Sequence, residues 1–227
     1  MTRATNARIA GVTYLFYAAI GICSELLMHH ARGGVEGNAA QLAHIGRYAT
    51  DVRLTILIML LESFSALVLA VTLYAITRDQ DHELAMFALA CRVAEGVLGT
   101  LNIPSYLGLL WLAKAGSEAG TLDLATTKAL REFLMMPVPS VPIGAIFFAV
   151  GSLIFSWLLL RGRIVPVSIA WLGVFSSGLL VVALPLQLAG FSTGELTGYY
   201  QWLPALAFQI VLALRLIIKG AATPATR

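Results

Sequence analysis

The chain has 227 residues, of which 59% are hydrophobic and only 12% are charged. Soluble domains carry about 25% charged residues, so this composition excludes an ordinary soluble globular protein and predicts an integral membrane protein. The net charge of +3 comes from basic residues that lie near the ends of apolar segments. That pattern is typical of membrane orientation and argues against nucleic acid as a partner. The lipid bilayer is the expected surrounding.

Six apolar segments follow one another, each long enough to cross a hydrocarbon layer about 30 Å thick. We predict an all-α integral membrane bundle of six transmembrane helices, forming a single domain over residues 1–227. The predicted spans cover residues 9–28, 54–77, 83–115, 143–160, 165–188 and 199–218. The first resembles a signal peptide in its basic start, but its long apolar stretch ends near Glu25 without a cleavage site, which predicts that it is retained. The third is about 50 Å long at 1.5 Å per residue, and Pro104 is predicted to kink it.

Two segments between the spans are amphipathic rather than apolar. Leu42, Ile45 and Tyr48 recur at helical spacing and predict a short surface helix that continues into the second span. Between the third and fourth spans, Thr121 can cap a helix whose apolar stripe includes Phe133. We predict that both helices lie on the outer side, on the membrane surface or covering the bundle.

The distribution of lysine and arginine predicts the orientation. Basic residues are somewhat more frequent in the loops on the side of the two termini, and the opposite loops are longer and more acidic. Because cytoplasmic loops carry the excess of basic residues, we predict that both termini are cytoplasmic.

The third span carries an arginine and a glutamate within a long apolar run. Arg92 and Glu95 are three residues apart, so a helix places them on one face. Gly96 and Gly99 continue that face and would let another helix come close. Charged side chains within a membrane are costly, and we therefore expect them to face the bundle interior and to pair.

Counting residues along each helix predicts that several polar side chains lie at one depth. Glu62 lies about 13 Å from the outer end of the second span at 1.5 Å per residue. Arg92 and Glu95 lie about 12 and 17 Å from the inner end of the third span by the same count. Gln209 of the sixth span falls at a similar level. A third carboxylate, that of Glu25, lies nearer the outer surface. Because the carboxylates of Glu25, Glu62 and Glu95 outnumber the single guanidinium of Arg92, we expect one of the three to be protonated.

These residues predict an intramembrane polar site between the first, second, third and sixth spans. We predict that the site binds or converts, by acid–base chemistry, a small apolar or lipid-like ligand. Its predicted catalytic residues are Glu62, Arg92 and Glu95. The predicted ligand-binding residues are Tyr17, Glu25, Asn102 and Gln209. Glu62 or Glu95 would donate the proton, and Arg92 would neutralise one of the acids.

Other functions remain open at this point. The same acids could form the relay of a proton-coupled transporter, or Arg92 and the acids could be a structural ion-pair network in a non-catalytic accessory protein. Whether the protein is an enzyme, and whether it forms a homo-oligomer, is left open as well.

No metal or cofactor is predicted. His29, His30 and His44 fall on the outer side but provide no helical pair of ligands four residues apart. No histidine or lysine lies in the middle of a span, which argues against a haem held by membrane histidines and against a retinal-type Schiff base.

A family resemblance rests on short motifs spread over nearly the whole chain. They are Leu73-Tyr74, the run from Cys91 to Glu95, Phe147-Phe148, the run from Leu160 to Pro166, Trp171-Leu172-Gly173, and the run from Leu214 to Gly220. Together they resemble the bacterial multi-pass membrane family catalogued as domain of unknown function 4386. The resemblance implies a six-helix protein of the bacterial cytoplasmic membrane and no established activity. Members of that family often carry an acid where Gln209 stands, and an aspartate in the second helix where this chain has Glu62 at a shifted position.

Overall fold

The computed structural model describes residues 2–33, 38–115, 124–134, 143–191 and 199–221. Within these ranges the chain forms nine α-helices and two 3-10 turns that begin or interrupt a helix. The helices are α1 (Arg3–Arg32), α2 (Asn38–Arg47), α3 (Ala49–Thr77), α4 (His82–Leu98), α5 (Ile103–Ala115), α6 (Leu124–Leu134), α7 (Ile143–Arg161), α8 (Val167–Leu188) and α9 (Leu203–Lys219). The described ranges contain no β-strand, so the predicted all-α fold is confirmed.

Six helical segments of the described chain are long and apolar enough to cross a bilayer. They are Arg3–Arg32, Ala49–Thr77, His82–Lys114, Ile143–Arg161, Val167–Leu188 and Tyr200–Lys219. Many of their large apolar side chains point away from the protein; Phe64, Phe175 and Ile218 are 64%, 68% and 72% exposed. Side chains of this kind are stable when lipid covers them. The protein is therefore a multi-pass membrane protein with six candidate spans, as the sequence predicted.

The helices begin and end beyond the apolar segments that predicted them. α1 runs over 30 residues, Arg3–Arg32, instead of the predicted 9–28. α3 begins at Ala49, directly after α2 and Tyr48, instead of at residue 54. Hydropathy marks the part of a helix that lipid covers, whereas the backbone hydrogen bonds continue through polar residues until a turn or cap ends them.

The third span is interrupted one turn before its proline. α4 ends at Leu98, a 3-10 turn covers Gly99–Asn102, and α5 begins at Ile103. Pro104 is thus the second residue of α5, where its missing N–H costs least. The ring of a proline clashes with the carbonyl four residues earlier, here that of Thr100, and the preceding turn cannot remain α-helical. The predicted kink exists, and it lies in the turn that precedes Pro104.

The described chain divides into two compact units. The first unit contains Met1–Ala19, Ser63–Gly99 and Pro139–Arg227, and the second contains Ile20–Glu62 and Thr100–Val138. The boundary between them falls within α1, within α3 and at the 3-10 turn after α4.

In the first unit, α7 packs against both α4 and α8, and α8 packs against α9. Small residues allow close contact between helices: a Cβ on Gly96 would lie 3.1 Å from the carbonyl oxygen of Ser63, and one on Gly11 would lie 2.7 Å from that of Ala213. The expected close approach at Gly96 is therefore present. A Cβ on Gly99 would meet no described atom within 4 Å, but one on Gly144 of α7 would lie 3.5 Å from the backbone nitrogen of Gly99, so a second helix comes close there as well.

One end of the first unit, called the polar end below, is held by partly exposed ion pairs. Arg3 at the start of α1 lies 3.5 Å from Asp79 and donates a hydrogen bond to the carbonyl oxygen of Ile76. Asp81 caps α4 by accepting a hydrogen bond from the backbone N–H of Leu84. Arg161 at the end of α7 lies 3.3 Å from the carboxylate of Asp81. These contacts bring the start of α1, the start of α4 and the end of α7 to the same end.

Away from the polar end, the half-buried amide of Gln187 and the buried amide of Gln201 connect α8 to the 3-10 turn that leads into α9. Gln187 donates to Gln201 at 3.0 Å, and Gln201 donates back at 3.4 Å. Reciprocal amide bonds satisfy a donor and an acceptor on each residue, so the pair is favourable away from water.

The second unit has its own small core, formed by Met28, Ala31, Ile45, Val52 and Leu109. α5 packs against both α2 and α6. A Cβ on Gly108 of α5 would lie within 2.9 Å of Leu134 at the end of α6, so the predicted amphipathic helix before the fourth span covers part of this unit. The predicted cap residue Thr121 lies outside the described residues.

Candidate functional site

The centre of the candidate site is an ion pair on α4. Arg92 and Glu95 lie on one face of this helix, and their side chains are 0% and 8% exposed. The Nη1 atom of Arg92 lies 2.6 Å from Oε2 of Glu95. The predicted pairing is thus present, although the two atoms are not aligned as a hydrogen bond. The contact is electrostatic in character, and it leaves the N–H groups of Arg92 without a hydrogen-bond acceptor among the described residues.

A second helix contributes a hydrogen bond to the same carboxylate. The hydroxyl of Tyr17 on α1 donates to Oε1 of Glu95 at 2.8 Å. Tyr17 is half-buried, whereas Tyr14, one turn earlier on α1, is buried. Each oxygen of Glu95 therefore has a different neighbour: a phenol hydroxyl at Oε1 and a guanidinium at Oε2.

Aromatic rings and a glycine enclose the guanidinium. The Cζ atom of Arg92 lies 4.9 Å from the ring centroid of Phe148 on α7 and 5.6 Å from that of Tyr17. Such distances allow a cation–π attraction on both rings. A Cβ on Gly151 would lie 3.0 Å from Cγ of Arg92 and 3.1 Å from the carbonyl oxygen of Ala88. Glycine at this position makes the space in which the arginine stem lies.

The surrounding helices add buried polar groups. Ser152 and Ser156 on α7 are buried, and their hydroxyls have no hydrogen-bond partner among the described residues. Gln209 on α9 is also buried. By contrast, Ser176 on α8 donates to the carbonyl oxygen of Gly173 in its own helix.

The remaining predicted site residues belong to the second unit. Glu62 is half-buried, and a Cβ on Gly21 would lie 3.3 Å from its Oε1 atom. Asn102 is half-buried in the 3-10 turn, and Glu25 is exposed. The first unit thus brings together Tyr17, Arg92 and Glu95, and the participation of Glu25, Glu62, Asn102 and Gln209 stays a prediction.

The histidines of the outer side make contacts of other kinds. Nδ1 of His30 lies 2.8 Å from the carboxylate of Asp51, and Nδ1 of His44 lies 3.1 Å from the carbonyl oxygen of Ala31. Both imidazole rings lie 4.5 Å from the ring of Tyr48. Among the described residues, no group of three histidine, cysteine, aspartate or glutamate side chains is placed to hold a metal ion.

A family model described as domain of unknown function (DUF4386) matches residues 9–220, which include the core of every span. The chain belongs to this family. The resemblance expected from the sequence motifs is thereby confirmed. Neither a curated protein nor a solved structure matches this chain.

Sequence reasoning missed several residues of the site in this DUF4386 protein. Phe148 was noted only as part of a family motif, and Gly151, Ser152 and Ser156 were not singled out. Gly144 and Gly151 are spaced two helical turns apart on α7, a pattern that indicates a face for close helix packing. The two serines gave no signal, because serine in a membrane helix most often bonds to its own backbone.

Proposed function

We propose that this protein binds a small apolar or lipid-like ligand within the membrane and exchanges a proton with it at Glu95. The observation that carries the proposal is the buried ion pair of Arg92 and Glu95, to which Tyr17 donates from another helix. An ionisable residue in the membrane interior is by default a candidate for function, since a purely apolar scaffold has no need of it.

The energetic cost of the pair supports this reading. Replacing a buried ion pair by apolar residues of similar volume is often neutral or stabilises a protein by about 1–4 kcal/mol. Here the arginine is fully buried and its N–H groups lack aligned acceptors, so the pair is a weak source of stability. The presence of this pair in the core of the unit is better explained by chemistry than by packing.

Each residue of the group has a distinct proposed role. Glu95 carries the proton that is exchanged with the ligand. Tyr17 and Arg92 position its two oxygens and set the balance between the charged and the neutral acid. Glu62 is the second proposed proton carrier, because counting residues along its span places it near the depth of Glu95. Glu25, Asn102 and Gln209 are proposed to line the path or pocket of the ligand.

Retention of a ligand tests the proposal. The protein is extracted directly into lipid nanodiscs, and small apolar molecules bound to it are measured by mass spectrometry. We expect wild type to retain a ligand that the double variant Arg92→Met/Glu95→Leu loses while remaining folded. Arg161→Met, which removes an exposed arginine at the polar end, is the matched control and should retain it. Equal ligand content in all three proteins would refute the proposal.

Infrared difference spectroscopy tests the proton. We expect the displacement of the ligand to change the intensity of a protonated-carboxyl band, and Glu95→Gln to abolish that band. A spectrum that is unchanged by the substitution would exclude Glu95 as the proton carrier and shift the role to Glu62.

A structural role for the ion pair is the second candidate. It is favoured by the close fit of Gly151 around the stem of Arg92, which couples α7 to α4. Under this reading the double variant loses stability and no ligand changes. A proton-coupled carrier is the remaining alternative; it would use the same pair as a relay and would show ligand-dependent proton uptake into liposomes.

We further propose that the protein lies in the bacterial cytoplasmic membrane with both termini in the cytoplasm. The excess of basic residues on the side of the termini supports this orientation. The polar end, with Arg3, Arg78 and Arg161, is then cytoplasmic. Cysteines introduced at positions 79 and 163, in a background lacking Cys23 and Cys91, should resist a membrane-impermeant thiol reagent in intact cells. Labelling at either position without cell lysis would reverse the orientation.

A further inference from the structure

Four packed helices of the first unit each place a buried polar side chain at one depth. Counted from the polar end of its own helix, each lies nine or ten residues along: Arg92 on α4, Ser152 on α7, Ser177 on α8 and Gln209 on α9. At 1.5 Å per residue this is about 15 Å, close to the middle of a hydrocarbon layer of about 30 Å. We call these four residues, with Glu95, the polar layer.

The helices that carry the polar layer are neighbours. α4 packs on α7, α7 on α8, and α8 on α9. Phe148 and Gly151 of α7 both lie beside the side chain of Arg92, and the buried Ser152 directly follows Gly151 in the sequence. The residues of the polar layer therefore lie at one depth on helices that pack against one another in turn.

Several donors in the polar layer lack an aligned acceptor. The three guanidinium nitrogens of Arg92 and the hydroxyl of Ser152 are buried without an aligned hydrogen-bond partner among the described residues. Glu95 provides the carboxylate: Tyr17 donates to its Oε1 atom, whereas its Oε2 atom lies 2.6 Å from Nη1 of Arg92 and is also buried without an aligned hydrogen bond. A buried donor without an acceptor costs about 1–3 kcal/mol, so the arrangement is suited to a molecule that brings acceptor oxygens.

We propose that the polar layer binds the carboxyl head of a single-chain amphiphile of the fatty-acid class. This inference rests on the proposed function and names its ligand. A carboxylate matches the planar fork of an arginine, with which it forms paired hydrogen bonds. The apolar chain extends among the apolar side chains of the spans, and a head of a few atoms suits a layer enclosed by close-packed helices.

The charges of the complex balance if one proton is shared. Arg92 is always positively charged, and the carboxyl of the ligand and Glu95 hold one proton between them. The net charge of the three groups is then zero, as a low-dielectric interior requires. The shared proton is the one that the proposed function assigns to Glu95.

The experiment compares palmitic acid with 1-hexadecanol, which has the same chain length and no carboxyl. Each is added in steps to the protein in phosphatidylcholine nanodiscs, and the thermal unfolding midpoint is followed by tryptophan fluorescence. A ligand that binds only the folded protein raises this midpoint with concentration. We expect palmitic acid to raise it for wild type and 1-hexadecanol to have at most a small effect.

Ser152→Ala and Ser176→Ala form a matched pair of variants. Alanine at position 152 removes an unpartnered hydroxyl, so the ligand-free protein should be as stable as wild type or more so, and palmitic acid should bind about three- to ten-fold more weakly. Ser176 already bonds to its own helix, so Ser176→Ala should bind palmitic acid as wild type does. The control also corrects for any effect of the fatty acid on the bilayer.

The outcomes separate this inference from the proposed function. If both compounds raise the midpoint equally, the carboxyl is not recognised and the inference fails, while ligand binding stands. If neither compound raises it, but nanodiscs retain a different apolar ligand that requires Glu95, only the inference fails. If palmitic acid binds all three proteins equally, the polar layer is not its site and the inference is refuted.

Discussion

In the first unit, Arg92 and Glu95 are buried in the middle of a span, whereas in the second unit Glu25 is exposed and His30 pairs with Asp51 near the surface. The side chains of His30 and Asp51 are 60% and 22% exposed, against 0% and 8% for the buried pair. Water and lipid head groups screen the charges of an exposed pair, so their energies change little when one partner is removed. Buried charges in the first unit are not screened in this way, so removing one partner of that pair should change the free energy of unfolding much more.

The largest expected effect comes from removing the carboxylate of the buried pair. Glu95→Leu leaves Arg92 buried without a counter-ion, and arginine cannot lose its charge. We expect a loss of about 3–5 kcal/mol in the free energy of unfolding, measured by titration with sodium dodecyl sulfate in mixed micelles. Arg92→Met should cost less, since Glu95 can take up a proton. Glu25→Gln in the second unit is the control, with a change of about 0.5 kcal/mol or less. A similar cost for Glu25→Gln and Glu95→Leu would remove the contrast between the units.

Packing around the arginine gives the next effect. A methyl group at position 151 would lie 3.0 Å from Cγ of Arg92 and 3.1 Å from a backbone oxygen of α4. We therefore expect Gly151→Ala to lower the free energy of unfolding by about 1–3 kcal/mol, because neither neighbour can move freely. Gly178→Ala on α8 is the control: a Cβ there meets no described atom within 4 Å, and the helix should gain up to about 1 kcal/mol. Stabilisation by both substitutions would show that α4 and α7 are not in close contact.

Loss of the phenol hydroxyl should have an intermediate effect. Tyr17→Phe removes the hydrogen bond to Glu95 but keeps the ring beside Arg92. Hydrogen bonds to charged groups contribute about 1.5–3 kcal/mol, and we expect a loss near the lower limit in the same titration. Tyr74→Phe, which removes an exposed contact with His82 at 3.3 Å, should change stability by about 0.5 kcal/mol or less. If the two tyrosine substitutions cost the same, the bond to Glu95 is not formed in the membrane.

The smallest effect is expected in the second unit. Asp51→Asn removes the partner of His30, and exposed ion pairs contribute about 0–1 kcal/mol. This contribution should also decrease when salt is added, because the pair is accessible to solvent ions. Thermal unfolding of Asp51→Asn and wild type at low and high salt measures both. A cost as large as that of Glu95→Leu would show that the second unit buries its charges as the first does.

The spans could be predicted because a helix that is surrounded by lipid needs a long, continuous run of apolar residues. The pairing of Arg92 with Glu95 could also be predicted, since it depends only on helical spacing and on the cost of charge in a membrane. The helix ends were less predictable, as the extension of α1 to Arg32 shows. At that end α1 continues through polar residues, and their polarity does not indicate the residue at which the helix ends.

Contacts between helices distant in sequence could not be predicted from periodicity. Tyr17 was predicted only to bind the ligand, yet its hydroxyl donates to Glu95 on α4. Ser152 was overlooked for the same reason: its burial depends on which side of α7 faces α4 and α8. The depth of a residue along a helix can be counted from the sequence. The rotation of the helix about its axis depends on which helices pack against it, and periodicity does not show this.

The reciprocal amides of Gln187 and Gln201 bear on how the chain could be cut. They hold the end of α8 to the entry of α9 through side chains rather than through the intervening peptide. α9 also retains its contacts with α8 and, through Ala213, with Gly11 of α1. A protein divided between these glutamines therefore keeps the interfaces by which its two fragments can reassociate, which makes this site suitable for split reporters and for segmental isotope labelling of the final helix.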